Sequence, residues 1–166
     1  MTPQDLVLTP TGVRFLDRRF PCSIGRGGLT RDKHEGDGAT PVGAHRITGV
    51  MYRPDRLAPP NGRAVPIRPL DRWCDDVAAP AYNHLVRAPF TASSETLRRA
   101  DPLYDVVLTT DYNWPDARPG RGSAIFLHIW RRPHFPTEGC VAFARSNLLW
   151  IAARITPATR LIVAGR

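Results

Sequence analysis

The chain has 166 residues, 42% of them hydrophobic, and a formal net charge of +8 from 23 Lys+Arg against 15 Asp+Glu. That length suits one domain able to bury roughly two-thirds of its unfolded surface, and the composition excludes a collagen-like or wholly disordered chain. The 17 prolines and 13 glycines argue against long helices and for many short strands joined by turns.

Taken in chain order, Asp5–Thr9, Val13–Leu16 and Arg19–Ile24 are brief apolar or alternating runs that predict strands. Turns separate them at Pro10-Thr11-Gly12 and Asp17-Arg18. A polar, glycine-rich loop follows from Gly25 to Gly43, and Ala44–Tyr52 alternates as a strand. Pro54–Pro69 is proline-rich and reads as irregular chain or a sheet edge. Asp71–Asp76 and Pro80–Pro89 read as loops with aromatic anchors, and Ser93–Arg99 as a short helix capped by Ser93 or Ser94. Tyr104–Thr110 and Ala124–Trp130 are the two best strands, dense enough in β-branched and aromatic residues for the centre of a sheet. Arg145–Ile155 is the best helix, with Ser146 as cap and Leu148, Ile151, Ala152 and Ile155 on one face. Thr156-Pro157 ends it, and Leu161–Val163 is a closing strand. No repeat, low-complexity tract or linker interrupts this pattern. The expected architecture is one domain over 1–166, mainly β, with a helix packed against it.

Lys33 is the only lysine, so the excess charge belongs to arginine. Guanidinium groups hold carboxylates and phosphates bidentately, which points to an anionic polymer such as nucleic acid or a carboxylate-rich bacterial wall. The arginines are scattered (Arg18 and Arg19, Arg98 and Arg99, Arg131 and Arg132) and form no basic run. No stretch approaches the ~18 apolar residues of a membrane span. Met1-Thr2-Pro3-Gln4-Asp5 has neither a basic nor an apolar leader region. Either the protein is cytoplasmic, or a leader has been removed, or export follows another route. Cys22, Cys74 and Cys140 are an odd set. A Cys22–Cys74 disulfide would leave Cys140 free, although two small buried thiols are the simpler reading.

Reactive residue types concentrate in Ile125–Phe143. His128 stands late in a strong strand, while Cys140 follows the turn-forming Pro136-Thr137-Glu138-Gly139. A thiol needs deprotonation to attack a carbonyl, and an imidazole can take that proton. Gly139 lets the backbone approach closely, so amides around Cys140 could face an oxyanion. Taken singly, Cys140 reads as a buried small hydrophobe and His128 as a hydrogen-bonded core histidine. His128, His134 and Cys140 also invite a zinc reading, but the usual ligand spacings are absent. Gly25-Arg26-Gly27-Gly28 is a turn and not a P-loop, because no Gly-Lys-Ser/Thr follows. Trp73, Tyr82, Tyr112, Trp114 and Trp130 interleave with arginine as in single-strand binders, but such aromatics are more often core or site-wall residues.

Two separated motifs carry a resemblance. Glu35-Gly36-Asp37-Gly38-Ala39-Thr40-Pro41-Val42-Gly43 is similar to a loop of form EGDGxTPxG in the YkuD-type L,D-transpeptidases. Gly122–Val141, with GSAIFLH and PTEGCVA, resembles that family's active-site strand and cysteine turn. Trp73-Cys74-Asp75-Asp76 and Tyr82-Asn83 look like a compact proteobacterial branch of it without accessory domains. The resemblance implies a β-sandwich-like domain with one or two short helices, acting in the periplasm on peptidoglycan stem peptides, without metal or organic cofactor and without nucleic acid. It places the nucleophile on Cys140, its base on His128, the imidazole-orienting carbonyl on Ile129 and the oxyanion hole on the Gly139 and Cys140 amides. Three departures follow: Glu138 stands where the family motif has histidine, Ala142 where arginine is common, and His128 and Cys140 are only 12 positions apart. A shorter lid and an altered pocket are expected. Arg131, Arg132 and His134 are then expected to contact substrate carboxylates, with Glu138, Trp73, Tyr82, Asn83 and Tyr112 as further substrate contacts.

Overall fold

Short apolar runs, cut by proline and glycine, become short strands in the computed structural model, which describes residues 1–165. The N-terminal runs form β1 (Leu6–Thr9), β2 (Gly12–Phe15), β3 (Arg18–Phe20) and β4 (Cys22–Ser23). The glycine-rich loop holds two two-residue strands, β5 (Leu29–Thr30) and β6 (Thr40–Pro41), and leads into the long β7 (Gly43–Tyr52). Then come β8 (Val65–Pro66), β9 (Asp71–Cys74), β10 (Leu85–Arg87), β11 (Ser94–Thr96), β12 (Val106–Thr110), β13 (Phe126–Ile129), β14 (Val141–Phe143), α1 (Arg145–Ala152) and β15 (Arg160–Val163).

The main sheet runs β3-β2-β1-β15-β7-β12-β13-β14-β4, with β8 paired to β7. β3 and β4 stand at opposite ends of that order, yet only Pro21 separates them in the chain. The sheet therefore curls round until its two edges come together. Proline has no N–H for a ladder, so the predicted single strand Arg19–Ile24 breaks there and changes edge. Inside the curl lies the larger core, including Leu6, Val13, Phe15, Leu108, Leu127 and Phe143, closed by Leu148 and Ile151 of α1. Each such side chain, fully buried, is worth roughly 1.5–3 kcal/mol.

A second core lies on the other face of β12 and β13. Val107, Phe126 and Tyr104 meet Trp73, Ile67 and Leu97 there. The cover is a small antiparallel sheet in the order β10-β9-β11. β12 and β13 are thus buried on both faces and sit inside the main sheet, as their composition predicts. The mainly β fold with a helix against it agrees with the expectation.

Several local expectations are corrected. Ser93–Arg99 is not helical: Ser94, Glu95 and Thr96 pair with Cys74, Trp73 and Arg72 of β9. So short a helix nucleates poorly, and a strand partner satisfies the same backbone groups. Asp71–Asp76 and Pro80–Pro89, read as loops, supply β9 and β10, with Leu85 opposite Trp73. α1 is shorter than predicted and is capped at Ala144, without a side-chain bond, because β14 feeds straight into it and leaves Ser146 in the first turn. β15 is the closing strand expected, and it pairs between β1 and β7. Cys22 and Cys74 lie in different sheets, and neither forms a disulfide. Among the described residues no helix is long and apolar enough to cross a membrane.

The parallel β1–β15 pair is clamped by charge. Arg160 donates Nε and Nη2 to the two oxygens of Asp5, at 3.0 and 2.9 Å. The Asp5 carboxyl, 2% exposed, is lowered to about 2, first by that hydrogen-bonded guanidinium. A carboxyl whose folded value lies below its unfolded one stabilises the fold above the unfolded value, and loses that contribution as pH falls through the folded one. Thermal unfolding followed by circular dichroism should show the melting midpoint falling between about pH 4 and pH 2, with Asp5→Asn flattening part of that fall.

Candidate active site

The parallel pairing of β13 and β14 aligns Leu127 with Val141 and His128 with Ala142. Side chains alternate between faces of a strand, so Leu127, Ile129, Val141 and Phe143 enter the larger core. Phe126 and His128 point to the opposite face, where Cys140, just before β14, packs against the second core. Strand geometry thus brings the imidazole and the thiol together as diagonal neighbours. They share one cavity of about 640 Å³.

His128 is 6% exposed, and its Nδ1 is 2.8 Å from the Ile129 carbonyl oxygen. A carbonyl only accepts, so Nδ1 carries the proton and Nε2 keeps its lone pair. The edge of Tyr104 packs against the ring at 5.4 Å between centroids. Burial pushes the imidazole down to about 4, against a smaller upward effect from the Ile129 carbonyl. Cys140 Sγ donates to the Ala124 carbonyl at 3.1 Å and accepts the Phe126 N–H at 3.4 Å. Burial pushes its thiol up to about 12, offset in part by the Phe126 N–H. At neutral pH the resting pair is therefore an uncharged thiol beside an uncharged base.

The turn that carries Cys140 docks on the glycine-rich loop. Arg26 N donates to Thr137 O at 2.8 Å and Thr137 N to Ile24 O at 3.0 Å. The Thr40 hydroxyl accepts from Gly25 N and donates to Gly139 O, at 2.9 and 2.8 Å. Gly139 has φ +136°, and a Cβ there would lie 2.8 Å from the Ala39 carbonyl oxygen. Only glycine accepts both the backbone angle and the approach. The Gly139 N–H donates to the Thr137 hydroxyl at 3.1 Å, which in turn donates to Cys140 O at 2.6 Å. That amide is engaged, whereas the Cys140 N–H has no acceptor among the described residues.

The remaining residues singled out from the sequence divide into two groups. Arg131 and Glu138 line the cavity. Glu138 also bridges to Arg26, with Nε 2.8 and 3.0 Å from its two oxygens. Arg132 and His134 do not line it: the first stacks over Phe135 at 4.8 Å, and the second lies beside Trp130 at 6.2 Å between ring centroids. His128, His134 and Cys140 consequently do not converge as a metal set, and the described residues hold no such cluster. Trp73, Tyr82, Asn83 and Tyr112 stand behind the cavity wall. The Trp73 indole donates to Asn83 Oδ1 at 2.9 Å, the Tyr82 hydroxyl donates to Glu35, and the Tyr112 hydroxyl donates to Arg121 O at 2.7 Å.

Sequence reasoning missed the charged wall facing the thiol. Glu35, Asp75, Glu95 and Arg99 line it. Tyr104 donates its hydroxyl to Glu95 at 2.8 Å, and Asp75 Oδ1 is buried there without a partner among the described residues. Glu35 and Asp75 fall inside motifs quoted from the sequence; Glu95 and Arg99 carry no local signal, since β9 pairing brings in Glu95 and ion pairs to Glu95 and Asp101 hold Arg99.

Because the resting thiol is neutral, alkylation of Cys140 by iodoacetamide, followed by peptide mass spectrometry, should accelerate with pH through pH 9 without levelling off. His128→Ala should change that profile less than threefold. A plateau below pH 8 that His128→Ala abolishes would instead mean a preformed ion pair.

The YkuD family, the L,D-transpeptidase catalytic domain, matches residues 4–163. No curated protein and no solved structure matches the chain. A match over nearly the whole chain, enclosing both the glycine-rich loop and the cysteine turn, makes this protein a member of the YkuD L,D-transpeptidase family, whose catalytic domains act on peptidoglycan peptides.

Proposed function

We propose that the chain, as one catalytic domain over 1–166, is a peptidoglycan L,D-transpeptidase working through a Cys140 thioester. The observation that carries this is the common cavity, in which the sulfur and the imidazole bearing a free Nε2 sit on one face of β13 and β14. In the first step Nε2 takes the thiol proton as Sγ attacks a stem-peptide carbonyl on an L-configured centre. The Cys140 N–H is the open donor for the oxyanion, and the Gly139 N–H joins it by leaving Thr137. Collapse breaks the C–N bond, and His128 returns the proton to the departing amine. In the second step a side-chain amine of diaminopimelate on a neighbouring stem attacks the thioester, re-forming a C–N bond and releasing the thiol.

No metal or organic cofactor enters this scheme. The cavity's mixed lining suits a substrate that carries both amines and carboxylates: Glu35, Asp75 and Glu95 stand beside Arg99 and Arg131. Arg131 is the candidate contact for a stem carboxylate. The connection from Trp130 to Thr137 is short, and Phe135 and Pro136 from it wall the cavity. This short lid favours a 1-3 link, from L-alanine to diaminopimelate, over a 3-3 link between two diaminopimelates. Such a substrate places the site of action in the periplasm.

Purified protein incubated with tetrapeptide-stem muropeptides should yield new dimers, and tandem mass spectrometry assigns the link. Cys140→Ala should abolish them, and His128→Ala should lower kcat by 10²–10⁴-fold. Trimmed monomers without dimers would instead indicate an L,D-carboxypeptidase or amidase on the same fold. Retention on sacculi with no thioester adduct would indicate a non-catalytic wall-binding module.

A further inference from the structure

Asn83 touches neither the cavity nor the sulfur, yet every hydrogen-bonding position of its buried amide is used. It is 2% exposed and takes a left-handed φ of +59°. Its Oδ1 accepts the Trp73 indole N–H and the Ala124 N–H, both at 2.9 Å. Its Nδ2 donates to the carbonyls of Tyr112 and Asn113, at 3.1 and 2.7 Å. Two donors aimed at main-chain carbonyls fix which end of the amide is oxygen, so Oδ1 necessarily faces Ala124.

Ala124 is itself in the left-handed region, φ +51°, which a non-glycine residue occupies only at a cost of about 1–3 kcal/mol when its surroundings hold it there. Its carbonyl is the acceptor for the Cys140 thiol at 3.1 Å, and two residues on, the Phe126 N–H reaches the same sulfur at 3.4 Å. The orientation of the 124–126 backbone therefore decides where the sulfur rests and what its proton faces. Asn83 holds the amide side of Ala124, and no other hydrogen bond is made by that N–H.

We propose that Asn83 is a positioning residue: by holding the left-handed Ala124 it aims the Ala124 carbonyl at Cys140 and keeps the sulfur turned into the cavity within reach of His128. This rests on Cys140 being the nucleophile. Released from Asn83, the Ala124 peptide swings away from its strained angle, the S–H loses its carbonyl acceptor, and the sulfur samples rotamers away from the base. A bond from S–H to a carbonyl favours the protonated thiol, so its loss makes the thiol easier to ionise while its attack becomes less well directed.

The test compares Asn83→Ala and Asn83→Asp with the wild-type chain. Asp at 83 keeps an oxygen for the Trp73 and Ala124 N–H groups but loses both donors. Asn83→Ala should lower kcat for dimer formation 10–100-fold with KM within about threefold. It should also shift the pH profile of Cys140 alkylation to lower pH by at least half a unit. Asn83→Asp should melt at a lower temperature yet keep the wild-type alkylation profile. Should Asn83→Ala fail to fold, Asn83→Gly removes the same amide, accepts the left-handed φ of +59° and must give the same profile shift. A folded Asn83→Ala or Asn83→Gly protein with the wild-type profile, or Asn83→Asp as shifted as Asn83→Ala, overturns the positioning role. Alkylation reads the thiol without substrate, so the proposal stands or falls separately from transpeptidation; only a Cys140 that forms no adduct with any stem peptide would sink the catalytic reading itself.

Discussion

The backbone contact between two distant glycine-containing turns sets the conditions for everything else in the site. At Gly25 a Cβ would lie 2.2 Å from the Gly38 carbonyl oxygen, and at Gly139 one would lie 2.8 Å from that of Ala39. Main chain meets main chain here, and the buried Thr40 hydroxyl spans the junction between Gly25 N and Gly139 O. A single net hydrogen bond of this kind is worth only about 0.5–1.5 kcal/mol, but leaving a buried partner unmatched costs about 1–3 kcal/mol. The glycine-rich loop therefore acts as a mould for the turn that presents Cys140. Asp37 shapes the mould in turn, accepting the Ala39 and His34 amides and pairing with the buried Lys33.

Burial has opposite effects on the two reactive groups. It raises the thiol and lowers the imidazole, so each is held in its neutral form. The groups that stabilise the charged forms are already in place: the Phe126 N–H faces the sulfur, and the Ile129 carbonyl faces Nδ1. Both belong to β13, as does His128. One strand thus carries the imidazole, the carbonyl that faces its Nδ1 and the N–H that faces the sulfur. Dipoles fixed by a sheet need no reorganisation when charge develops.

The rigidity of that strand comes from burial on both sides. Leu127 and Ile129 fill the core inside the curled sheet, while Phe126 packs edge-on against Trp73 of the small sheet, with ring centroids 4.9 Å apart. The small sheet is more than a cover. Its β11 carries Glu95, which takes the Tyr104 hydroxyl beside His128, and the turn before β10 carries Asn83. The polar shell of the site is built on elements that contribute neither the imidazole nor the thiol.

How much of this was legible beforehand follows from the range of each interaction. Local patterning determined the two central strands, because dense β-branched and aromatic residues in Val106–Thr110 and Phe126–Ile129 need a doubly buried place. It also determined the cysteine turn and its glycine, since Thr137-Glu138-Gly139-Cys140 carries its own turn chemistry, and the family resemblance followed from short contiguous motifs. The tertiary structure alone decided β9, β10 and β11, whose three- or four-residue runs become strands only by pairing, β10 and β11 with β9. It alone turned the Gly139 amide to Thr137, set Arg132 and His134 outside the cavity, and put Trp73, Tyr82, Asn83 and Tyr112 behind its wall. The small sheet and the residues behind the wall depend on contacts between segments well apart in the chain, while the turn contacts depend on the backbone angles that the docked loop imposes; a linear pattern records which side chain a residue has but not which backbone it will face.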